Sequence, residues 1–493
     1  MIIKKIIISF LTTLVLIFSF TSVNAEEVQQ QYYARVVTDV FDTRFTYRIS
    51  AHDPAIDQTK AEVYLDEIEL LTRVVSHLTD NFKTMDVKVF EIKENSKVYQ
   101  VTKEDFGFPV GNGTQDGKII IKIEIDNNGL IMGYEEVYFE IESNELTSFL
   151  NLIIGENIKG IKSNNNDSVA KKAVVNIINY IKIENLTSST VNIYQINNRP
   201  NERVEIDKLL YDILVLSEQY KKITKGYFDI SIGLVIDEWK EIIDYNNKYT
   251  EEELNKKIDN ILKIPVIKDG ILLEEEEGKY FVTIKDGVKI DLGAVAKGYI
   301  ASLVNDYFKS KNLTFYNILG SDSSLIYGEN YYREGNVYNV GFNNPLDATD
   351  KSYVKVKNTS ITTSGDTVQH RVLYGNLYHH LISPKTKRPE NNYRLLTVIH
   401  EDPIFGEALT TAMFAMDEKT LKEFTEENGV EDYIIFKSNG DIIEVFNNYE
   451  FVIDRNDDPI SSTLIKWVVI SVVVIFVAGG LLLITKEKKD WRW

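Results

Sequence analysis

The segment Lys289-Ile290-Asp291-Leu292-Gly293-Ala294-Val295-Ala296-Lys297-Gly298-Tyr299 constrains the fold more than any other stretch of the chain. A strand-like run stops at a glycine, and small residues with a single lysine follow. The pattern predicts a strand passing through Gly293 into a helix with Lys297 in its first turn. Backbone N–H groups at a helix start lack intrahelical partners and can hold an anion, and glycines let a ligand approach the main chain. Such junctions belong to α/β and α+β proteins, where most are only turns, so the segment alone names no ligand.

The two ends of the chain place it relative to a membrane. Lys4 and Lys5 precede an apolar run from Ile6 to Phe20, and Val23-Asn24-Ala25 stands before Glu26 and Glu27. This is the charged, apolar and small-residue order of a secretory signal peptide. Near the other end, Trp467 to Ile484 is an uncharged run of 18 residues, extended by Leu464 and Ile465. That length just crosses a bilayer, and Lys486, Lys488, Lys489 and Arg492 supply the positive flank of a cytoplasmic end. The expectation is a single-pass protein of the cell membrane, its body extracytoplasmic and its short C-terminal tail cytoplasmic. The chain has no cysteine, which excludes disulfides, thiolate nucleophiles and Cys-ligated metals. A formal charge of −19 argues against nucleic acid as a partner.

Between the ends the texture changes twice. Arg44 to Ile49 reads as a strand, and Lys60 to Leu78 carries Val63, Ile68, Leu71, Val75 and Leu78 at helical spacing. From about Lys83 to Lys182 the pattern differs. Val98-Tyr99-Gln100-Val101 leads into a turn region with Gly107, Gly111, Gly113 and Gly117. Two strand-like runs, Lys118 to Ile125 and Gly133 to Phe139, then join through Asp126-Asn127-Asn128-Gly129, a hairpin signal. Asn164 to Ser168 caps an apolar-periodic helix from Val169 to Ile181. After Asn185 a helix-rich mixed pattern resumes, with a helix near Ile206–Lys225 and alternating strands to about residue 450. The fold class is therefore α+β, mixed sheets and helices interrupted by a small α+β insert. The boundaries are 1–25 for the signal peptide, 26–82 and 185–455 for the two parts of the main domain and 83–184 for the insert. The transmembrane helix occupies 464–485 and the tail 486–493.

Three further segments carry chemistry-bearing residues in order. Thr224-Lys225-Gly226-Tyr227-Phe228-Asp229-Ile230-Ser231 comes first. Thr363-Ser364-Gly365-Asp366, which packs hydroxyls, a glycine and an acid into four residues, is followed by His379-His380-Leu381-Ile382-Ser383-Pro384. Two histidines adjacent in a strand point to opposite faces, so at most one enters a site. In Gly406-Glu407-Ala408-Leu409-Thr410-Thr411-Ala412, the four-residue spacing puts Glu407 and Thr411 on one helix face. A carboxylate and a hydroxyl so placed suit Mg²⁺, although the pair is more often plain helix surface.

Taken in this order, the segments resemble the ApbE family of FAD:protein FMN transferases, whose members show TDGAFDPT-like, DLGGIAKGY, GG, TSGDY, HHIxDPxTG and DALSTA segments. The counterparts are Thr224–Ser231, Asp291–Tyr299, Gly320-Ser321, Thr363–Asp366, His379–Pro384 and Glu407–Ala412. Ser189 to Asn197 stands where the family has a Ser…Ile-Asn segment. The resemblance covers about residues 30–80 and 185–450. It implies that FAD is the substrate and that FMN passes to a Ser or Thr of an acceptor flavoprotein with an FMN-binding domain, releasing AMP.

The resemblance also distributes roles. His380 and Asp366 are the expected catalytic residues, His380 as proton acceptor and Asp366 near the metal or the acceptor hydroxyl. Asp229, Asp291, Gly293, Lys297, Gly298, Gly320, Thr363, Ser364 and Gly365 are expected around FAD. Glu407, Thr411 and a carbonyl near Ala294 are expected to hold Mg²⁺. The chain departs from the family at Glu407 (Asp), Ser383 (Asp), Lys387 (Gly), Ser321 (Gly) and Thr367 (Tyr). Those departures keep a second reading open, a flavin-binding or electron-transfer protein of the same fold with impaired catalysis. A third is a surface scaffold with an empty flavin pocket. The insert resembles a domain that carries covalent FMN on a SGATxTS-like motif, but Ala170 stands at the acceptor position and Ser168 lies two residues earlier. A structural or docking role is expected for it.

Overall fold

The computed structural model describes residues 30–81, 88–102, 120–126, 131–135, 183–184, 186–321 and 323–454. The expected signal peptide, the glycine-rich stretch 107–117, the Ser168 and Ala170 loop with its helix, the membrane span at 464–485 and the tail lie outside the described residues. Among the described residues, no helix is long and apolar enough to cross a membrane.

The chain opens with β1 (Tyr32–Val40) and β2 (Thr43–Ser50), a hairpin, followed by α1 (Gln58–Thr79). Asp57 caps α1 by accepting the Lys60 N–H, and Ala61, Leu65, Ile68, Thr72 and Val75 recur at helical spacing on its buried face. Next come β3 (Lys88–Lys93), β4 (Ser96–Thr102), β5 (Ile120–Asp126) and β6 (Ile131–Glu135), which form an antiparallel sheet of their own. Then follow α2 (Ile193–Asn197), β7 (Val204–Ile206), α3 (Lys208–Ile223), α4 (Gly233–Ile243), α5 (Glu251–Lys263), β8 (Ile271–Glu276) and β9 (Lys279–Ile284). The strand expected at Lys289 shrinks to a single parallel bridge with Ile232. Helix α6 (Ala296–Ser310) starts after the Gly293 turn, with Lys297 in its first turn.

The remaining elements are β10 (Tyr316–Gly320), β11 (Ser324–Tyr327), β12 (Tyr338–Gly341), β13 (Tyr353–Val356), β14 (Thr359–Gly365), β15 (His370–Leu373), β16 (Asn376–His379) and β17 (Tyr393–His400). They continue with α7 (Pro403–Phe414), α8 (Glu418–Asn428), β18 (Asp432–Lys437), β19 (Ile442–Phe446) and β20 (Glu450–Val452). Eight strands form the main sheet in the order β1-β2-β10-β11-β14-β17-β18-β19. Helices α1, α6 and α7 pack on one face of it. Its other face meets the β12-β13-β20 sheet, where Val354 and Val356 join Tyr327, Ile361 and Ile399 in a shared core. This is the mixed α+β architecture expected.

Alternation along β14 sorts its side chains between the two layers. Ile361 faces the small sheet, whereas Thr362 touches α7 at Gly406 and Ser364 reaches Thr410 of the same helix. A second core joins α4 and α5 to the β15–β16 hairpin through Val235, Trp239, Ile242, Leu254, Ile258 and Ile382, with Leu373 and Tyr378 against it. The site residues thus come from two separately packed bodies, the α6–α7–β14 layer and the α4–α5–hairpin unit.

Candidate active site

The start of α6 crosses α7 at Gly298, where a Cβ would lie 2.6 Å from the Pro403 carbonyl oxygen. Only glycine permits this approach, and it brings two chemistries together. The Gly298 N–H, unsatisfied within its own helix, donates to Glu407 Oε2 at 2.7 Å. Lys297 Nζ lies 3.8 Å from Glu407 Oε1 and donates to the Gly293 carbonyl at 3.3 Å. Glu407 is buried, and the half-buried Thr411 follows it by one turn of α7. The bond to Glu407 replaces the link from Gly298 to the Ala294 carbonyl that a helix begun one turn earlier would use.

Asp291 builds the turn before this helix. Its Oδ1 accepts the Gly293 N–H at 2.9 Å and its Oδ2 takes Lys240 Nζ at 3.1 Å. Asp229 is likewise engaged within the fold. Ser231 donates to Asp229 Oδ1 from its N–H and its hydroxyl, and Lys221 Nζ pairs with Oδ2 at 2.9 Å. The two carboxylates expected to face FAD therefore shape the adjoining loops, which are zipped together by the Asp291 N–H to Ile230 carbonyl bond. Asn197, at the end of α2, clamps the same segment through both main-chain groups of Ile290.

On β14 the expected trio divides. Ser364 Oγ donates to Thr410 Oγ1 at 3.0 Å, and Thr410 in turn donates to the Glu407 carbonyl. Thr363 instead shares a 2.9 Å hydroxyl contact with Thr397 of β17. Gly365 abuts the Arg394 carbonyl, and Gly320 ends β10 beside the Ser321 turn. Asp366, 1% exposed, binds Arg394 Nε through Oδ2 at 2.6 Å, while its buried Oδ1 has no hydrogen-bond partner.

The two histidines have different surroundings, because β16 ends at His379 and leaves His380 in the bend that follows. His379 is buried against Phe414; its Nδ1 accepts the Leu381 N–H at 3.2 Å, leaving Nε2 to donate to the Glu390 carbonyl. Burial lowers its pKa. His380 lies just past the end of β16 with a buried, unpartnered Nδ1. Burial, then the neighbouring His379 and the Lys297 ammonium, push its pKa down to about 4. His380 is thus a neutral imidazole at physiological pH within the electrostatic field of Lys297.

The roles of three contributors to this arrangement are not read from the sequence. Thr410 is the hydroxyl bridge between β14 and α7, Arg394 neutralises Asp366, and Asn197 is a main-chain clamp. Asn197 and Thr410 fall inside segments matched to the family, Ser189–Asn197 and Glu407–Ala412, and Arg394 is the one cation in the otherwise uncharged run Tyr393 to Ile399. Among the described residues, no three His, Cys, Asp or Glu side chains converge as a metal cage.

The donors present fit a sparser arrangement. Glu407, the Thr411 hydroxyl and the Ala294 carbonyl offer hard oxygen donors, and Mg²⁺ is commonly held by one or two carboxylates completed by substrate phosphates and water.

Residues 155–434 match the family model described as the ApbE family. A similar relative is the FAD:protein FMN transferase of Klebsiella pneumoniae (strain 342), 22% identical over 309 residues, which span 62% of this chain and 93% of the relative. Another, of the same printed name, comes from Buchnera aphidicola subsp. Schizaphis graminum, 24% identical over 49% of this chain and 70% of its own. Among solved structures, the flavin transferase ApbE from Vibrio cholerae aligns with a TM-score of 0.48 and 14% identity, covering 87% of this chain and 99% of that one. The ApbE protein from Thermotoga maritima aligns at 0.46 and 21%, covering 71% and 97%. With more than half of its length inside the family match, this chain belongs to the ApbE family.

Proposed function

We propose that the chain is a Mg²⁺-dependent FAD:protein FMN transferase, moving FMN from FAD to a Ser or Thr hydroxyl of an acceptor flavoprotein. The observation that carries this reading is the convergence of Lys297 and Glu407 on the Gly298 turn, with neutral His380 in the field of Lys297. The helix start and Lys297 hold the pyrophosphate of FAD, where their positive charge offsets the charge of the leaving phosphate. Glu407, Thr411 and the Ala294 carbonyl would hold the metal. When bound, Mg²⁺ supplies further charge neutralisation on the phosphate oxygens.

The acceptor oxygen forms a bond to the FMN phosphorus as the phosphoanhydride P–O bond breaks and AMP departs. The hydroxyl proton passes to His380, whose burial keeps it free to accept one. No electron changes hands. The Ser364–Thr410 pair fixes β14 against α7 and so fixes Glu407 relative to the turn. The second reading, flavin binding without transfer, draws on Asp366, whose carboxylate is paired with Arg394 instead of standing free for an acceptor hydroxyl.

The protein is anchored in the cell membrane by residues 464–485, with its body extracytoplasmic, a placement supported by the apolar run and its basic flank. The insert is read as a structural or docking module, because Ala170 at the acceptor position has no hydroxyl and Ser168, two residues earlier, is only a weak alternative acceptor. The test uses the full chain in detergent with FAD, Mg²⁺ and a purified FMN-acceptor domain. AMP release with a mass gain of one FMN on the acceptor is the expected result. Retention of FAD without release supports the second reading and overturns the first.

A further inference from the structure

We infer that the β15–β16 hairpin and the loop after His380 form the docking face for the acceptor polypeptide, and that this face selects acceptors with acidic residues beside the modified hydroxyl. The inference rests on the transferase reading and adds the partner's chemistry to it.

One side of the hairpin is fixed. Arg371 Nη1 donates to the Asp244 carbonyl at 2.7 Å, Tyr374 Oη donates to the Tyr249 carbonyl at 2.8 Å, and Leu373 and Tyr378 pack into the α4–α5 core. The opposite side is not covered by any described element: Val372 is 62% exposed, and Val368, just before the hairpin, is 67% exposed. These side chains lie next to the expected proton acceptor. The His380 N–H donates to the Gln369 carbonyl at 3.2 Å, and the Val368 main chain is within hydrogen-bonding reach of the imidazole. A polypeptide resting on Val368 and Val372 therefore has its hydroxyls delivered towards His380.

Charge identifies the kind of polypeptide. From Thr367 to Pro389 the chain holds Arg371, Lys385, Lys387 and Arg388 and no Asp or Glu, within a molecule of net charge −19. Two of these cations are spent inside the fold, Arg371 on carbonyls and Lys387 on the Leu262 carbonyl. Lys385 and Arg388 are exposed, and among the described residues neither has a carboxylate partner. Lys385 lies over the Tyr227 ring, on the loop that leads to Asp229. Exposed apolar side chains on the hairpin and two exposed cations in the loop after His380 complement an acceptor segment with apolar residues and carboxylates around its Ser or Thr.

The experiment uses the full chain with FAD, Mg²⁺ and one folded FMN-acceptor domain in two versions, the acceptor threonine flanked by glutamates or by lysines. Transfer is read as flavinylated mass and AMP release. The glutamate version is expected to be used about tenfold better at low salt. The surface double variant Lys385→Glu/Arg388→Glu is expected to reverse that preference without changing FAD retention. Val372→Asp is expected to slow transfer to both versions. Equal use of the two versions by the wild type, or no response to the double variant, overturns the docking inference and leaves the transferase reading standing. FAD retention with neither version modified overturns the transferase reading and the docking inference with it.

Discussion

Gly298 donates its main-chain N–H to Glu407 Oε2 across 2.7 Å, joining the first turn of α6 to the middle of α7. The bond makes Glu407 part of the scaffold as well as a candidate ligand. Replacing it by Ala leaves a buried donor unsatisfied and removes the carboxylate beside Lys297. The expected loss is about 1–3 kcal/mol of stability, together with Mg²⁺-dependent FMN transfer. Glu407→Gln keeps an oxygen for Gly298 and recovers much of the stability while transfer stays low. Urea denaturation and AMP release measured on the same variants separate the two roles; equal transfer by wild type and folded Glu407→Ala would exclude Glu407 as a metal ligand.

Asp366 and Arg394 form a pair in which the acid is 1% exposed and the base one-third exposed. Removing only the arginine strands a charge in a low-dielectric interior, which costs about 3–5 kcal/mol in comparable pairs. Arg394→Met should therefore destabilise strongly. Adding Asp366→Asn should restore a large part of the loss, because the stranded charge goes with it. A double-mutant cycle by denaturant unfolding measures this. Additive losses would show that the pair is not coupled.

The parts of the site legible in the sequence were those set by local geometry. The four-residue spacing of Glu407 and Thr411 put both on α7, and the Gly293 junction placed Lys297 in a first turn. The alternation expected to separate His379 from His380 does not apply, because β16 ends at His379 and His380 lies in the bend after it. Less was legible where a partner comes from a distant segment. Asp229 and Asp291 are expected around FAD, and the motif does not show the partners the fold gives them: Lys221 and Ser231 for the first, Lys240 and Gly293 for the second. Thr363 and Ser364 are neighbours that the pleat sends to different layers, and Arg394 meets Asp366 only because β14 and β17 pair. No periodicity encodes a cross-strand partner, so such pairs emerge only with the register.

Two departures from the family's glycines fall on left-handed backbone: Ser321 has φ +56° and Lys387 φ +57°. That conformation costs a side-chain-bearing residue about 1–2 kcal/mol, against about 0.5–1 kcal/mol of extra chain entropy lost by glycine on folding. Ser321→Gly should therefore stabilise by about 0.5–1 kcal/mol. Lys387→Gly should gain nothing or destabilise, because Lys387 Nζ also donates to the Leu262 carbonyl at the end of α5, 2.8 Å away. Thermal melts of the two variants test the contrast, and a comparable gain in both would mean that the α5 contact contributes nothing.

His380 gives the protein a pH dependence with a defined sign. Its pKa in the fold is pushed down to about 4 by burial and by the neighbouring His379 and Lys297, against an ordinary histidine value near 6.5. Above pH ~6.5 the ring is neutral in both folded and unfolded chains and contributes nothing to the pH slope. As pH falls below that value the unfolded chain takes up the proton and the folded chain does not, so stability declines until about pH 4, where the folded ring also protonates. The full effect is roughly 2–4 kcal/mol at 1.36 kcal/mol per unit. His380→Gln removes this titration while other groups continue to titrate. The stability difference between wild type and His380→Gln should therefore shift against the wild type between pH 7 and pH 4. A difference that stays constant across that range would place His380 in a solvated setting, without the buried, uncharged ring on which its role as proton acceptor depends.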